Sequence, residues 1–295
     1  MSSRNRKGPA VLLTPATLFL GVFFLGPLGV MVYYSFLEPG LYGGVEHNFY
    51  HWNYGRILGW ADGEWEDFDL VYAEIFIRSI RLALTNVLIT FIICYPAALW
   101  VSRLPDRWRT MVVFLITLPF FVSLVVRLFC WVLILRPSGF LNTTLLSLGI
   151  IAEPFDIMYT ETAVLIGMAY VMLPFMFLPL YASIEKLDHA LIDASSDLGA
   201  APYQTFLRVI LPITLPGIAA GAVLVFIPSL GNFIVPDLLG GAKVLMIGNL
   251  IEQQFLSARN WPFGSALSVI MMLLMLVMII IYLRRIGRAQ QHQLA

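Results

Sequence analysis

The chain has 295 residues, of which 59% are hydrophobic and only 12% charged, and its mean hydropathy of +0.83 excludes an ordinary soluble domain. Lysine plus arginine and aspartate plus glutamate both total 18, so no net charge argues for nucleic acid or another polyanion as a partner. Charge is informative here only by position.

Arg4, Arg6 and Lys7 precede the first apolar run, Val11 to Phe36, in the manner of a secretory signal peptide. The run exceeds the about 7 to 15 residues of such a core and ends at "YYSFLEPG" without a small-residue cleavage site, so it reads as a retained span. A helix needs about 20 mostly apolar residues to cross roughly 30 Å of hydrocarbon. Six runs qualify, at about 11–36, 79–102, 110–135, 161–183, 213–236 and 263–283. Stretches such as "MMLLMLVMIIIYL" lack the alternation of barrel strands. The expected fold is therefore an all-α membrane protein with six transmembrane helices and one domain over residues 1–295.

Lysine and arginine accumulate on the cytoplasmic side of short loops. With the N-terminus inside, the inner segments hold Arg4, Arg6, Lys7, Arg103, Arg107, Arg109, Lys186, Arg208, Arg284, Arg285 and Arg288. The outer loops hold only Arg56, Arg136, Lys243 and Arg259, while Arg78 and Arg81 border the second span. Both termini are expected in the cytoplasm. The first outer segment, Leu37 to Ile77, is acidic, with Glu38, Glu46, Asp62, Glu64, Glu66, Asp67, Asp69 and Glu74 against Arg56. Such a segment is either a solvated loop that avoids positive charge or a cation-attracting mouth. Trp52, Trp60 and Trp65 suit the headgroup level or an interhelical vestibule.

Within the spans, Pro27, Pro96, Pro119, Pro174, Pro179 and Pro228 predict bent helices, and Gly217 with Gly221 form a G-x-x-x-G pair that allows close helix approach. Cys94 and Cys130 both fall in apolar runs and read as small buried hydrophobes. Arg127, in "VSLVVRLFCWVLIL", is a cation inside the third span and costs several kcal/mol there unless it meets water or a partner. Snorkelling outward, pairing with an acid and lining a substrate path all remain open for it. Asn232 and Phe233, beside Gly231, are further candidates for that path.

No phosphate-cradling loop, H-E-x-x-H, G-x-S-x-G or paired-cysteine metal motif occurs, and His47, His51, His189 and His292 form no ligand set. No catalytic residue, cofactor or metal is expected in this chain. Intramembrane carboxylates of the kind that relay protons are scarce, so the energy for any transport is expected to come from another chain. A channel or secondary transporter is the alternative, and it would show two similar halves or paired broken helices bearing acids.

One insert, residues 184–212, is neither span nor simple loop. "HALIDASSDL" places Leu191, Ala194, Ser195 and Leu198 on one helical face, Gly199 supplies the positive φ of a sharp stop, and Pro202 restarts a helix. Phe206, Val209 and Ile210 give that second helix an apolar side, and Pro212 with Pro216 are expected to end it and redirect the chain into the fifth span. The pair predicts a knob that fits a groove on a cytosolic partner.

Asp193, Ala194, Ser195, Gly199, Val209, Leu211 and Pro212 resemble the E-A-A-x-x-x-G-x(9)-I-x-L-P loop of permease subunits in binding-protein-dependent ABC importers. Asp193, Ser195 and Val209 depart from the pattern by close replacements. Residues 119–142 and 238–268 are similar to segments of the spermidine/putrescine-type permeases. The resemblance implies a type I ABC importer permease fold in a bacterial inner membrane. Its coupling loop would carry Asp193, Ala194, Ser195, Gly199, Phe206, Leu211 and Pro212. It also implies ABC ATPase subunits holding ATP and Mg, a second permease subunit that is a different chain, an extracytoplasmic substrate-binding protein, surrounding membrane lipid, and a polyamine or related small organic solute as substrate.

Overall fold

The computed structural model describes residues 7–60 and 68–293. Arg4, Arg6, Asp62, Glu64, Trp65, Glu66 and Asp67 lie outside the described residues, as do the side chains of Lys7, His189, Arg285, Arg288 and His292. Among the described residues, six helical stretches are long and apolar enough to cross a membrane: Thr14–Tyr34, Val71–Ser102, Leu124–Ser147, Glu161–Glu185, Pro202–Leu230 and Trp261–Arg284. The chain is organised in two compact units, Met1–Ala73 with Leu250–Leu274, and Glu74–Asn249 with Met275–Ala295.

In the first unit, α1 (Lys7–Leu20) passes through a π turn, Gly21–Leu25, into α2 (Gly26–Tyr34). The wide turn precedes Pro27, which lacks the N–H of a helical bond and whose ring crowds the carbonyl four residues back. The turn lets the helix run on past the proline. A short antiparallel hairpin follows, β1 (Leu37–Pro39) paired with β2 (Val45–Phe49), so part of the acidic outer segment is strand. Asn53, in α3 (Trp52–Ile57), is buried and donates to the carbonyls of Ser35 and Leu37 at 3.1 and 2.9 Å, which ties the hairpin to the helix end. The Arg56 guanidinium lies over the rings of Tyr72 and Phe263, 5.7 and 4.8 Å from their centroids.

The second unit holds most of α4 (Val71–Ser102), then α5 (Asp106–Thr117), α6 (Leu124–Leu135), α7 (Phe140–Ser147), α8 (Glu161–Glu185), α9 (His189–Asp197), α10 (Pro202–Thr205) and α11 (Leu211–Leu230). After these come α12 (Ile247–Leu256) and α13 (Trp261–Gln293), each of which begins in one unit and ends in the other. The centre of the second unit is α8, the most buried of the six spans. It meets α11 closely because Gly217 and Gly221 carry no side chain: a Cβ at Gly217 would stand 2.4 Å from the Ser183 Cβ and 2.7 Å from the Pro179 carbonyl oxygen, and one at Gly221 would stand 2.7 Å from the Met176 sulfur. The G-x-x-x-G pair is a packing device within this chain.

Three predicted spans differ from the structure, the fifth because its helical stretch runs Pro202–Leu230 rather than over 213–236. Residues 110–135 do not form one helix: Pro119 opens a 3₁₀ turn, Leu118–Phe121, and Val122 and Ser123 leave helical geometry before α6 begins. Continuous hydrophobicity hides that break, and the membrane-length stretch lies further on, at Leu124–Ser147. The second span starts at Val71 rather than 79, because Glu74, Arg78 and Arg81 lower the hydropathy of its first turns without stopping the helix. Arg81 donates from one nitrogen to both Glu161 oxygens at 2.6 and 2.7 Å, joining α4 to the start of α8. Cys94 is buried as expected, whereas Cys130 is exposed, since α6 buries only its Leu128 and Leu135 side.

Candidate functional site

The insert between the fourth and fifth spans folds as two helices joined by a tight turn. Asp188 caps the first by accepting from the Ala190 N–H at 2.9 Å. Beyond the end of α9, Gly199 takes φ +78, its N–H bonds the Ser196 carbonyl at 2.9 Å, and the Ala200 N–H bonds the Ser195 carbonyl at 3.1 Å. These crossed bonds satisfy carbonyls that a helix end leaves open, and they need a residue that accepts positive φ. Pro202 then occupies the first turn of α10, where a missing N–H costs nothing, and the Gln204 side chain accepts from the Ala201 N–H at 3.1 Å. The hydroxyls of Ser195 and Thr205 lie 2.8 Å apart and lock one helix to the other.

The locked pair presents an open groove of about 450 Å³ lined by Leu191, Ala194, Ser195, Leu198, Gly199, Ala200, Gln204, Arg208 and Val209. The apolar face read from the sequence is therefore turned outward rather than packed: Leu198 is 89% exposed, and Leu191, Tyr203 and Leu207 are exposed with it. Asp193 and Ala194 are exposed, Ser195 is half-buried in its Thr205 bond, and Phe206 is half-buried. Leu191 and Leu198, on α9, are bared apolar side chains outside every membrane-length stretch, while Tyr203 and Leu207 lie at the start of the fifth.

The expectation that Pro212 and Pro216 end the second helix is corrected. Residues Pro202–Leu230 form one helical stretch in which a π turn, Phe206–Ile210, joins α10 to α11. The Leu211 N–H reaches back to the Phe206 carbonyl, five residues away. As at Pro27, the wide turn opens room ahead of a proline, so Pro212 sits in the first turn of α11 and the helix continues. Thr205, Gln204 and Asp188 carry parts of this geometry that the sequence did not disclose. Thr205 meets Ser195 only once the chain has turned back, so no helical spacing marks it.

Arg127 lies in the first turn of α6 with its guanidinium 5.9 Å from the centroid of the Tyr170 ring and its Nε buried without a hydrogen-bond partner. Of the partners open to it, the structure supplies an aromatic ring and no acid among the described residues. Trp131 meets the same Tyr170 edge-on at 5.6 Å, and both rings border an apolar groove of about 350 Å³ between α4 and α8. Asn232 is engaged as a cap: its Oδ1 accepts from the Val235 N–H at 3.0 Å, where the chain restarts a helix toward a third π turn, Pro236–Gly240. Phe233 exposes its ring, while its carbonyl accepts from Asn249 Nδ2 at 2.8 Å. These candidate path residues thus sit on α6 and at the break after α11, and α6 packs against the π turn that follows that break.

Six membrane-length helices with a helix pair between the fourth and fifth are the frame of a multi-pass membrane protein, and the class is that of a transport permease. Its lineage agrees, for the model of the family described as "Binding-protein-dependent transport system inner membrane component" matches residues 89–290, and the chain belongs to that family. It is a multi-pass inner-membrane permease subunit of a binding-protein-dependent ABC importer. Similar proteins include the spermidine/putrescine transport system permease protein PotB of Escherichia coli (strain K12), 43% identical over 79% of this chain and 81% of that one. The PotB of Haemophilus influenzae is 46% identical over 74% of this chain and 76% of its own. Among solved structures, a bacterial ABC transporter for alginate superposes with a TM-score of 0.68 at 20% identity, over 95% of this chain and 93% of that one. The MetNI methionine ABC transporter gives 0.51 at 18%, over 75% and 99%. Both structures establish the fold alone.

Proposed function

We propose that this chain forms the translocation path for a polyamine of the spermidine or putrescine kind and takes its driving force from ATPase subunits that seat on the α9–α10 pair. The single observation that carries the coupling role is the bared apolar groove on two helices locked by the Ser195–Thr205 bond and the Gly199 turn. The polyamine reading is supported by the two PotB relatives, at 43% and 46% identity. ATP and Mg belong to the partner ATPases, and this chain needs no cofactor of its own. A second permease, a different chain, completes the path, and an extracytoplasmic binding protein delivers the solute. Both termini face the cytoplasm, which puts the groove on the ATPase side.

Mechanically, the lock makes the pair move as one body, and the continuous helix from Pro202 to Leu230 makes the fifth span its lever. ATPase closure then shifts the permease between outward and inward access by the difference in its fit to the two states. Asp193, Ala194, Ser195 and Gly199 form the seat, and Phe206, Leu211 and Pro212 form the root of the lever. Purification of the tagged chain from its native membrane tests this reading. Recovery of an ABC ATPase and a second permease, with the ATPase lost on Asp193→Lys, is the expected result. A chain recovered alone that conducts solute without ATP would refute it.

A further inference from the structure

The root of the lever has a second attachment, and it lies on α4. Tyr95 is buried, and its ring stands edge-on to Phe206 at 5.6 Å between centroids, with an interplanar angle of 90°. Its hydroxyl lies 2.8 Å from the Thr214 Oγ1. Thr214 Oγ1 is also 3.0 Å from the Ile210 carbonyl, and its single hydrogen serves that oxygen, so Tyr95 is the donor to Thr214. Phe206 opens the π turn and Thr214 stands one turn past its end. One side chain of α4 therefore holds the helix on both sides of its irregular turn.

The turn is the one place in Pro202–Leu230 where the coupling helices can change register against the span. A π turn carries one residue more than an α turn, and relaxing it would rotate everything before it by about 100° and shift it by about 1.5 Å. Left ungripped, the turn could absorb a push from the ATPase side instead of passing it on. Further along α4, Asn86 Nδ2 donates to the Ser229 Oγ at 2.9 Å, so α4 is tied to α11 at its other end as well.

We propose that Tyr95 is a positioning residue for coupling, clamping the π turn so that movement of α9–α10 carries α4 and α11 together. This rests on the importer reading given above. The hydrogen-bonding half of the clamp can be removed without a cavity by Tyr95→Phe on one side and Thr214→Val on the other, while Thr214→Ser keeps it.

The test uses the full complex of permeases, ATPase and binding protein in liposomes, measuring spermidine taken up per ATP hydrolysed together with basal ATPase activity and recovery of the complex. Tyr95→Phe is expected to lower uptake per ATP about fivefold, the factor to which about 1 kcal/mol of hydrogen-bond energy converts, with basal hydrolysis and recovery unchanged. Thr214→Val is expected to do the same, the double variant no more, and Thr214→Ser to match the wild type. Wild-type uptake per ATP in both Tyr95→Phe and Thr214→Val would overturn the clamp alone. A wild-type complex that fails to couple uptake to ATP would overturn the importer reading and the clamp with it.

Discussion

Replacing Gly199 separates the shape of the coupling turn from the surface it offers. Its φ of +78 falls in the left-handed region, and a Cβ built there meets no atom of this chain within 4 Å. The cost of a side chain inside this chain is therefore conformational: roughly 1–2 kcal/mol for an ordinary L-residue, more for a β-branched one. That converts to about a 5- to 30-fold loss of the docking-competent turn. Gly199→Val is expected at or beyond the upper end, Gly199→Ala at the lower, and Gly199→Asn near wild type, because asparagine tolerates positive φ. The assay is ATPase retained per permease on purification, paired with ATP-driven uptake in liposomes. A Gly199→Val variant that retains ATPase and transports like the wild type would refute the reasoning, and Asn falling below Ala would show that bulk against the partner, not backbone shape, decides the site.

Three further predictions concern what holds the fold. Gly217→Leu drives a side chain into Ser183 and the Pro179 carbonyl, so it should lower stability in detergent by at least the roughly 1–3 kcal/mol typical of overpacking; Gly29→Leu, where a Cβ meets nothing within 4 Å, should leave the melting temperature unchanged. Buried Asn142 exchanges hydrogen bonds with the Phe155 N–H and carbonyl, each at 2.9 Å, and Asn142→Leu should cost roughly 1–3 kcal/mol in the same melt by orphaning them. Glu161→Gln removes the ion pair with Arg81, but the side chains are 60% and 41% exposed, so the loss should stay under about 1 kcal/mol and shrink further in high salt.

Much of the architecture was legible because lipid demands long apolar runs, and the number of membrane-length helices, six, follows from hydropathy even where their bounds do not. The turn at Gly199 and the helix start at Pro202 were legible for a local reason, since each depends on the backbone freedom of a single residue. What hydropathy missed were breaks that leave the composition untouched, as at Pro119, and bends that do not break, as at Pro212. A proline announces a missing bond, but whether the chain leaves the helix or widens into a π turn depends on tertiary neighbours such as Tyr95, which lies on another helix far from Pro212 in sequence. Asn232 illustrates a role that span position alone does not disclose: its Oδ1 caps the helix that follows the break.

Uptake of spermidine into liposomes containing this chain with its ATPase, its second permease and its binding protein tests the central claim most directly. Accumulation that requires ATP and the binding protein, and that disappears when Gly199→Val uncouples the permease, is the predicted result. Spermidine passage through this chain alone, indifferent to ATP, would contradict it.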